Sequence, residues 1–142
     1  MRYGTIFSLL LALFLLNGCV TSTVKHTMID PKGQSKTEKP ATPGRREIAR
    51  LEGMNSGVFL FYYIPLWSGK DTRPNRVEYK TFRNLVQPKN MKRMLKAYGR
   101  KFLKADDVEN ITCEEKASGV WTLWIFWKRS VHGTGTAVKY KK

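Results

Sequence analysis

At 142 residues the chain has room for one domain of ordinary size and not for two. Lys and Arg number 26 against 11 Asp and Glu, a formal net charge of +15, which excludes a balanced surface and points to an anionic partner or surface. Aromatic residues at 12% and hydrophobic residues at 42% exclude a disordered polycation, because enough of the chain can bury a core.

The N-terminus has the composition of a secretory leader. Met1-Arg2 gives a positive start, residues 6–16 are apolar except for Ser8, and Asn17-Gly18 brings small or polar residues up to Cys19. A membrane-spanning helix needs about 20 apolar residues, more than this run supplies. Leu16-Asn17-Gly18-Cys19 resembles the lipobox of bacterial lipoproteins, departing at Asn17, where Ala, Ser, Thr or Val is commoner. The resemblance implies removal of residues 1–18 as a signal peptide and a diacylglycerol, with further acylation such as palmitate, on Cys19. Val20-Thr21-Ser22 follows in place of the Asp that favours retention in an inner membrane. By resemblance the protein belongs on the periplasmic face of an outer membrane in a two-membrane host, or on the external surface of a cell with one membrane. Each buried acyl methylene contributes about 0.8 kcal/mol, so one chain binds reversibly and two or more hold firmly. The resemblance covers the leader and its junction and says nothing of the domain that follows.

Residues 20–46 are rich in Thr, Ser, Lys, Pro and Gly, with Pro31, Pro40 and Pro43 obstructing helix and ladder alike. The lipidated cysteine and a flexible basic tether are therefore expected over 19–50, and a folded domain over 51–142. The tether either lies along anionic headgroups or serves solubility alone.

The run 56–64, Ser-Gly-Val-Phe-Leu-Phe-Tyr-Tyr-Ile, is closed by Pro65 and has the profile of a central strand. Residues 67–76 read as a loop and 77–82 as a short second strand. A helix is predicted after Pro88, capped by Asn90 and ending near Leu103, with Met91, Met94, Leu95, Tyr98 and Phe102 forming one packed stripe. The other face carries Lys89, Lys92, Arg93, Lys96, Arg100, Lys101 and Lys104 with no acidic residue between them. A solvated helix usually mixes opposite charges, since like-charged pairs cost a few tenths of a kcal/mol each. This face is read as a docking surface for anionic lipid, lipopolysaccharide, cell-wall polymer or an acidic envelope protein, against the plain alternative of a solvated face.

Asp106, Asp107, Glu109, Glu114 and Glu115 flank an expected strand at 110–113, and their simplest role is to balance nearby Lys. Cys113 is the thiol left over once Cys19 is lipidated; it is read as a small packed side chain, with a reactive thiol as the alternative. Residues 120–129 form an aromatic strand whose Trp121, Trp124 and Trp127 suggest a partner or homo-oligomer face. A turn at 130–133 then leads to a last strand over 133–140. His26 falls in the tether and His132 in that turn, and neither has a Ser, Cys or Asp at a recognised catalytic spacing. Gly133-Thr134-Gly135 lacks any accompanying phosphate-loop pattern, and no metal-ligand spacing occurs.

The expected fold is α+β: a small, mostly antiparallel sheet of about four strands with one amphipathic helix. The expected function is a non-catalytic envelope lipoprotein, without cofactor or metal beyond its covalent lipid, that binds an anionic surface or partner through the basic helix face. The alternatives are a small envelope enzyme with an unrecognised site, or a single-stranded nucleic-acid binder if the chain is not exported, since export removes it from most nucleic acid.

Overall fold

The computed structural model of the chain describes residues 20–29, 44–76, 78–119 and 125–140. The leader, Cys19, Trp121 and Trp124 lie outside the described residues. No helix among the described residues is long and apolar enough to cross a membrane. The elements in chain order are β1 (Ser22–Met28), β2 (Arg45–Leu60), β3 (Ile64–Gly69), β4 (Tyr79–Thr81), α1 (Pro88–Leu103), β5 (Asp107–Gly119) and β6 (Phe126–Tyr140).

The strands form one antiparallel sheet in the order β4-β3-β2-β6-β5, with β1 also on β2. Strand β6 pairs with β2 along its length, from Arg45↔Tyr140 to Leu60↔Phe126. The other edge of β2 is shared end to end: β1 takes Ala49 to Asn55 and β3 takes Gly57 to Leu60. The fold is thus β-rich, with six strands and one helix, and the expected α+β sheet of about four strands is corrected.

Three local features explain the difference. Ser22–Met28, expected in the tether, forms β1, because Ser22 and Val24 are buried on alternating positions and Asn75 covers its outer edge. Asn75 Oδ1 accepts from the Val24 N–H at 2.8 Å, its Nδ2 donates to the Val24 carbonyl at 2.8 Å, and its own N–H donates to the Ser22 carbonyl at 2.8 Å. The first half of this edge strand, at Ser22 and Val24, is thus satisfied without a further strand. The expected domain start at residue 51 falls inside β2, which begins at Arg45. The run 56–64 is two strands, not one: the chain reverses at Phe61 and Tyr62, whose φ values are 48° and 70°. Two consecutive positive φ angles suit a tight hairpin, but they are normally left to Asn or Gly. Pro65 lies within β3 and does not end a strand.

The predicted turn at 130–133 is absent, and β6 runs unbroken from Phe126 to Tyr140. Gly133 in β6 makes room for α1, and Gly135 makes room for Val108 of β5. A Cβ on Gly133 would collide with Met91 Cγ, one on Gly53 would stand 2.9 Å from Met91 Sδ, and one on Gly135 would stand 2.9 Å from Val108 Cγ1. Small residues on one face of β2 and β6 let the helix sit close.

Helix α1 starts at Pro88, whose missing N–H costs nothing in the first turn. The N-cap is Gln87 and not Asn90, with no side-chain cap; the Gln87 carbonyl accepts from the N–H of Asn90 and Met91 at 3.1 and 3.0 Å. Lys104 takes the left-handed cap position, φ 49°, and the Ala105 N–H donates to the Gly99 carbonyl at 3.1 Å. Met91, Met94, Leu95 and Tyr98 are buried, as their spacing predicts, whereas Phe102 is 58% exposed. With Leu51, Val24, Val108, Val131, Ala137 and Phe59 these residues make the core. Burial of each large side chain contributes about 1.5–3 kcal/mol.

Candidate anion-binding face

The sheet sorts the basic residues of α1 into three groups. Arg93 leans toward the loop after β3, where its Nη2 donates to Asp71 Oδ2 at 2.6 Å; the Asp71 side chain is only 4% exposed. Lys96 and Arg100 lie on the flank facing β5, at 3.1 and 4.0 Å from Asp107 Oδ1. Lys89, Lys92, Lys101 and Lys104 are exposed and make no ion pair with a described residue. Lys101 lies 5.6 Å from the Phe102 ring centroid. The one-signed helix face of the sequence is therefore partly structural and partly open.

Asp107 is held below its ordinary value of 3.8 by the hydrogen bond from the Val108 N–H and then by Lys96 and Arg100, which outweigh a partial loss of solvation. It is an anion at neutral pH and keeps its two cations engaged. Among the acidic residues near β5, Glu115 pairs with Arg129 at 3.3 Å, and Glu109 with Arg45 at 3.0 Å. None of these carboxylates reaches the open lysines.

The loop between β3 and β4 adds cations that the sequence reading passed over as plain loop. Arg73 Nη1 is 3.5 Å from Glu78 Oε1, which also serves Lys70 at 2.7 Å through Oε2. Lys70 chiefly holds the Glu78 carboxyl below its ordinary value of 4.5. Arg76 is exposed and makes no ion pair with a described residue. The signal in the sequence was Arg73-Pro74-Asn75-Arg76, a turn with a cation on each side.

Trp127, the described member of the expected tryptophan face, points to the helix side of the sheet and is half-buried. Its ring meets Tyr62 edge-on at 5.3 Å between centroids and lies over Gly119. Exposed apolar side chains gather instead at the β2–β3 turn: Phe61, Tyr63 and Ile64. His26, in β1, places Nδ1 3.1 Å from the Tyr98 hydroxyl, and His132 is part of β6 opposite Met54 and Glu114. Cys113 is half-buried beside the start of α1, with Sγ 3.9 Å from the Pro88 carbonyl, and burial raises its thiol above the usual value of 9.0. A raised thiol is a poor nucleophile. No group of His, Cys, Asp and Glu among the described residues could hold a metal ion.

Comparison with protein-family models, with curated proteins and with solved structures finds no match to this chain.

Proposed function

We propose that the chain is a non-catalytic envelope lipoprotein, anchored through Cys19, whose domain holds to an anionic surface of the envelope through α1. The observation that carries this reading is the open set Lys89, Lys92, Lys101 and Lys104 on a helix whose other cations are engaged. A helix gains nothing from such a one-signed set, whereas each Lys beside an anionic membrane contributes about 1 kcal/mol. Arg93, Lys96 and Arg100 act in the fold, tying α1 to the loop after β3 and to β5.

The anchor is tested by intact mass and membrane fractionation of the full chain beside Cys19→Ser. The parent loses residues 1–18, gains acyl mass and sediments with membranes, and the variant does none of these. Full-length, unmodified parent protein refutes the anchor. The face is tested on detergent-solubilised full chain with dodecyl maltoside micelles doped with phosphatidylglycerol or phosphatidylcholine. Lys89→Gln, Lys92→Gln and Lys104→Gln together remove about 3 kcal/mol of attraction, roughly a hundredfold in affinity for the anionic micelle, and little for the neutral one. The attraction fades with added salt. Equal binding to both micelles rules the face out.

A further inference from the structure

Between the C-terminal half of α1 and the loop after β3 lies an open groove of about 320 Å³, which shares only Lys101 with the open lysine set. Its rim carries Arg73, Arg76 and Lys101, and Pro74, Tyr98 and Phe102 supply its apolar lining. The Tyr98 and Phe102 rings meet at a 33° tilt with centroids 4.6 Å apart, and Phe102 is 58% exposed although it belongs to a helix whose neighbouring stripe is buried. Glu78 divides its charge between Lys70 and Arg73, while Arg76 and Lys101 have no carboxylate within ion-pair distance among the described residues. Guanidinium groups favour phosphoryl oxygens, which they meet with paired N–H donors. An aromatic and proline lining favours an apolar body beside that charge.

The groove's position narrows the ligand. Arg76 also borders a second cavity, of about 260 Å³, lined by Val20, Thr21, Ser22, Thr23 and Asn75. Val20 is the residue after Cys19, so one peptide bond, a Cα–Cα step of about 3.8 Å, joins a lipid-bearing Cys19 to that cavity's lining. We infer that Arg73, Arg76, Lys101 and Phe102 form a binding site for a phosphoryl group carried on an apolar body, the glycerophosphate head of a membrane phospholipid. The choice of a membrane lipid rests on the anchor reading; the phosphoryl chemistry rests on the groove.

The test titrates detergent-solubilised full chain with short-chain phosphatidylglycerol and, separately, with inorganic phosphate, following phosphorus line broadening. The parent binds the lipid saturably, and Arg73→Gln with Arg76→Gln weakens it at least about tenfold, the loss of charge-assisted hydrogen bonds. Lys116→Gln, on β5 beside Glu114 and outside the groove lining, changes it less than about twofold by loss of a screened surface charge. Phe102→Ala weakens lipid several-fold and leaves phosphate unchanged. Equal lipid binding by parent and Arg73→Gln/Arg76→Gln overturns the site. Phosphate binding as tight as lipid binding, with Phe102→Ala silent, overturns the lipid and assigns the groove to free phosphate. An unmodified Cys19 beside a successful titration refutes the anchor and leaves the groove standing; a lysine-dependent micelle contact beside a failed titration does the reverse.

Discussion

Under α1 the sheet presents Gly53 and Gly133, whereas farther along the same face, past the start of the helix, it presents Phe59, Trp127 and Arg129. The first region is made of absences, into which Met91 and Leu95 fit. The second is made of a stack: the Arg129 guanidinium lies 4.9 Å from the Phe59 ring centroid and 5.0 Å from that of Tyr62, Tyr62 meets Trp127 edge-on, and Glu115 holds Arg129 from the side. One sheet face is thus closed by a helix where its residues are small, and by a planar cation where they are large. Hydrophobic burial dominates the first region, while the second draws on interactions worth about 0.5–1 kcal/mol each.

Substitutions separate the two regimes, and the largest effect belongs under the helix. Gly133→Val forces a side chain into Met91 and costs about 3 kcal/mol, near the upper end for overpacking, read as a fall in the urea midpoint at constant slope. If Gly133→Val unfolds at the parent midpoint, α1 does not sit where the glycines place it. In the stacked region Arg129→Ala costs about 2 kcal/mol, since two ring contacts go and Phe59 gains exposure, and Arg129→Lys recovers only part because it lacks the plane. Equal stability of the Lys and Ala variants would show that the guanidinium plane is irrelevant. Gly119→Ala, by contrast with Gly133, meets only the Trp127 ring at an ordinary 3.5 Å and lies within about 1 kcal/mol of the parent, with stabilisation expected from a less flexible unfolded chain. A loss as large as that of Gly133→Val would erase the distinction between the regions.

The smallest effect concerns pH. Asp107 binds its proton less readily in the folded chain than in the unfolded one, so its contribution is complete above the ordinary carboxyl value of 3.8 and is lost as pH falls below it through the depressed folded value. The side chain is about one-third exposed, at 33%, and solvent screening keeps the gain small. Acid titration of thermal stability therefore shows a shallower limb for Asp107→Asn, the two proteins converging as the pH falls below the ordinary carboxyl value and the Asp107 carboxyl protonates. Parallel limbs throughout would remove Asp107 as the tie between α1 and β5.

The helix was legible because its signals are local: Pro88 at the start, and Met91, Met94, Leu95 and Tyr98 at one helical face. Its basic residues were legible by identity, but their division into paired and open sets was not, since Asp71 and Asp107 are brought to them by the sheet. Strand β1 was hidden by its neighbourhood. Ser22, Val24, Thr23 and Thr27 have the alternation and branching of a strand, yet they adjoin a Pro- and Gly-rich stretch, and the partner that satisfies the edge, Asn75, is distant in sequence. The β2–β3 turn was hidden for the opposite reason, because Phe61 and Tyr62 are strand formers placed at positive φ, a strain that only surrounding pairing sustains. Gly133 read as a turn residue; its meaning lies in Met91, across the molecule. The groove of Arg73, Arg76 and Lys101 unites a loop with a helix, and only its loop half, Arg73-Pro74-Asn75-Arg76, has a local signature.

Strand β1 also decides how the domain would respond to force. With an anchor at Cys19, a pull directed along the strand reaches Thr21 first, which is stitched to Ser56, and then the ladder from Ser22↔Asn55 to Met28↔Ala49. Those bonds lie across the pull and share it, unlike a hairpin peeled open one rung at a time, and the Asn75 clip on Val24 secures the opposite edge. Were lipid carried on Cys19 as proposed, its junction with the domain would be mechanically a lap joint in shear, and tension there would be borne by the sheet before it could unravel the chain.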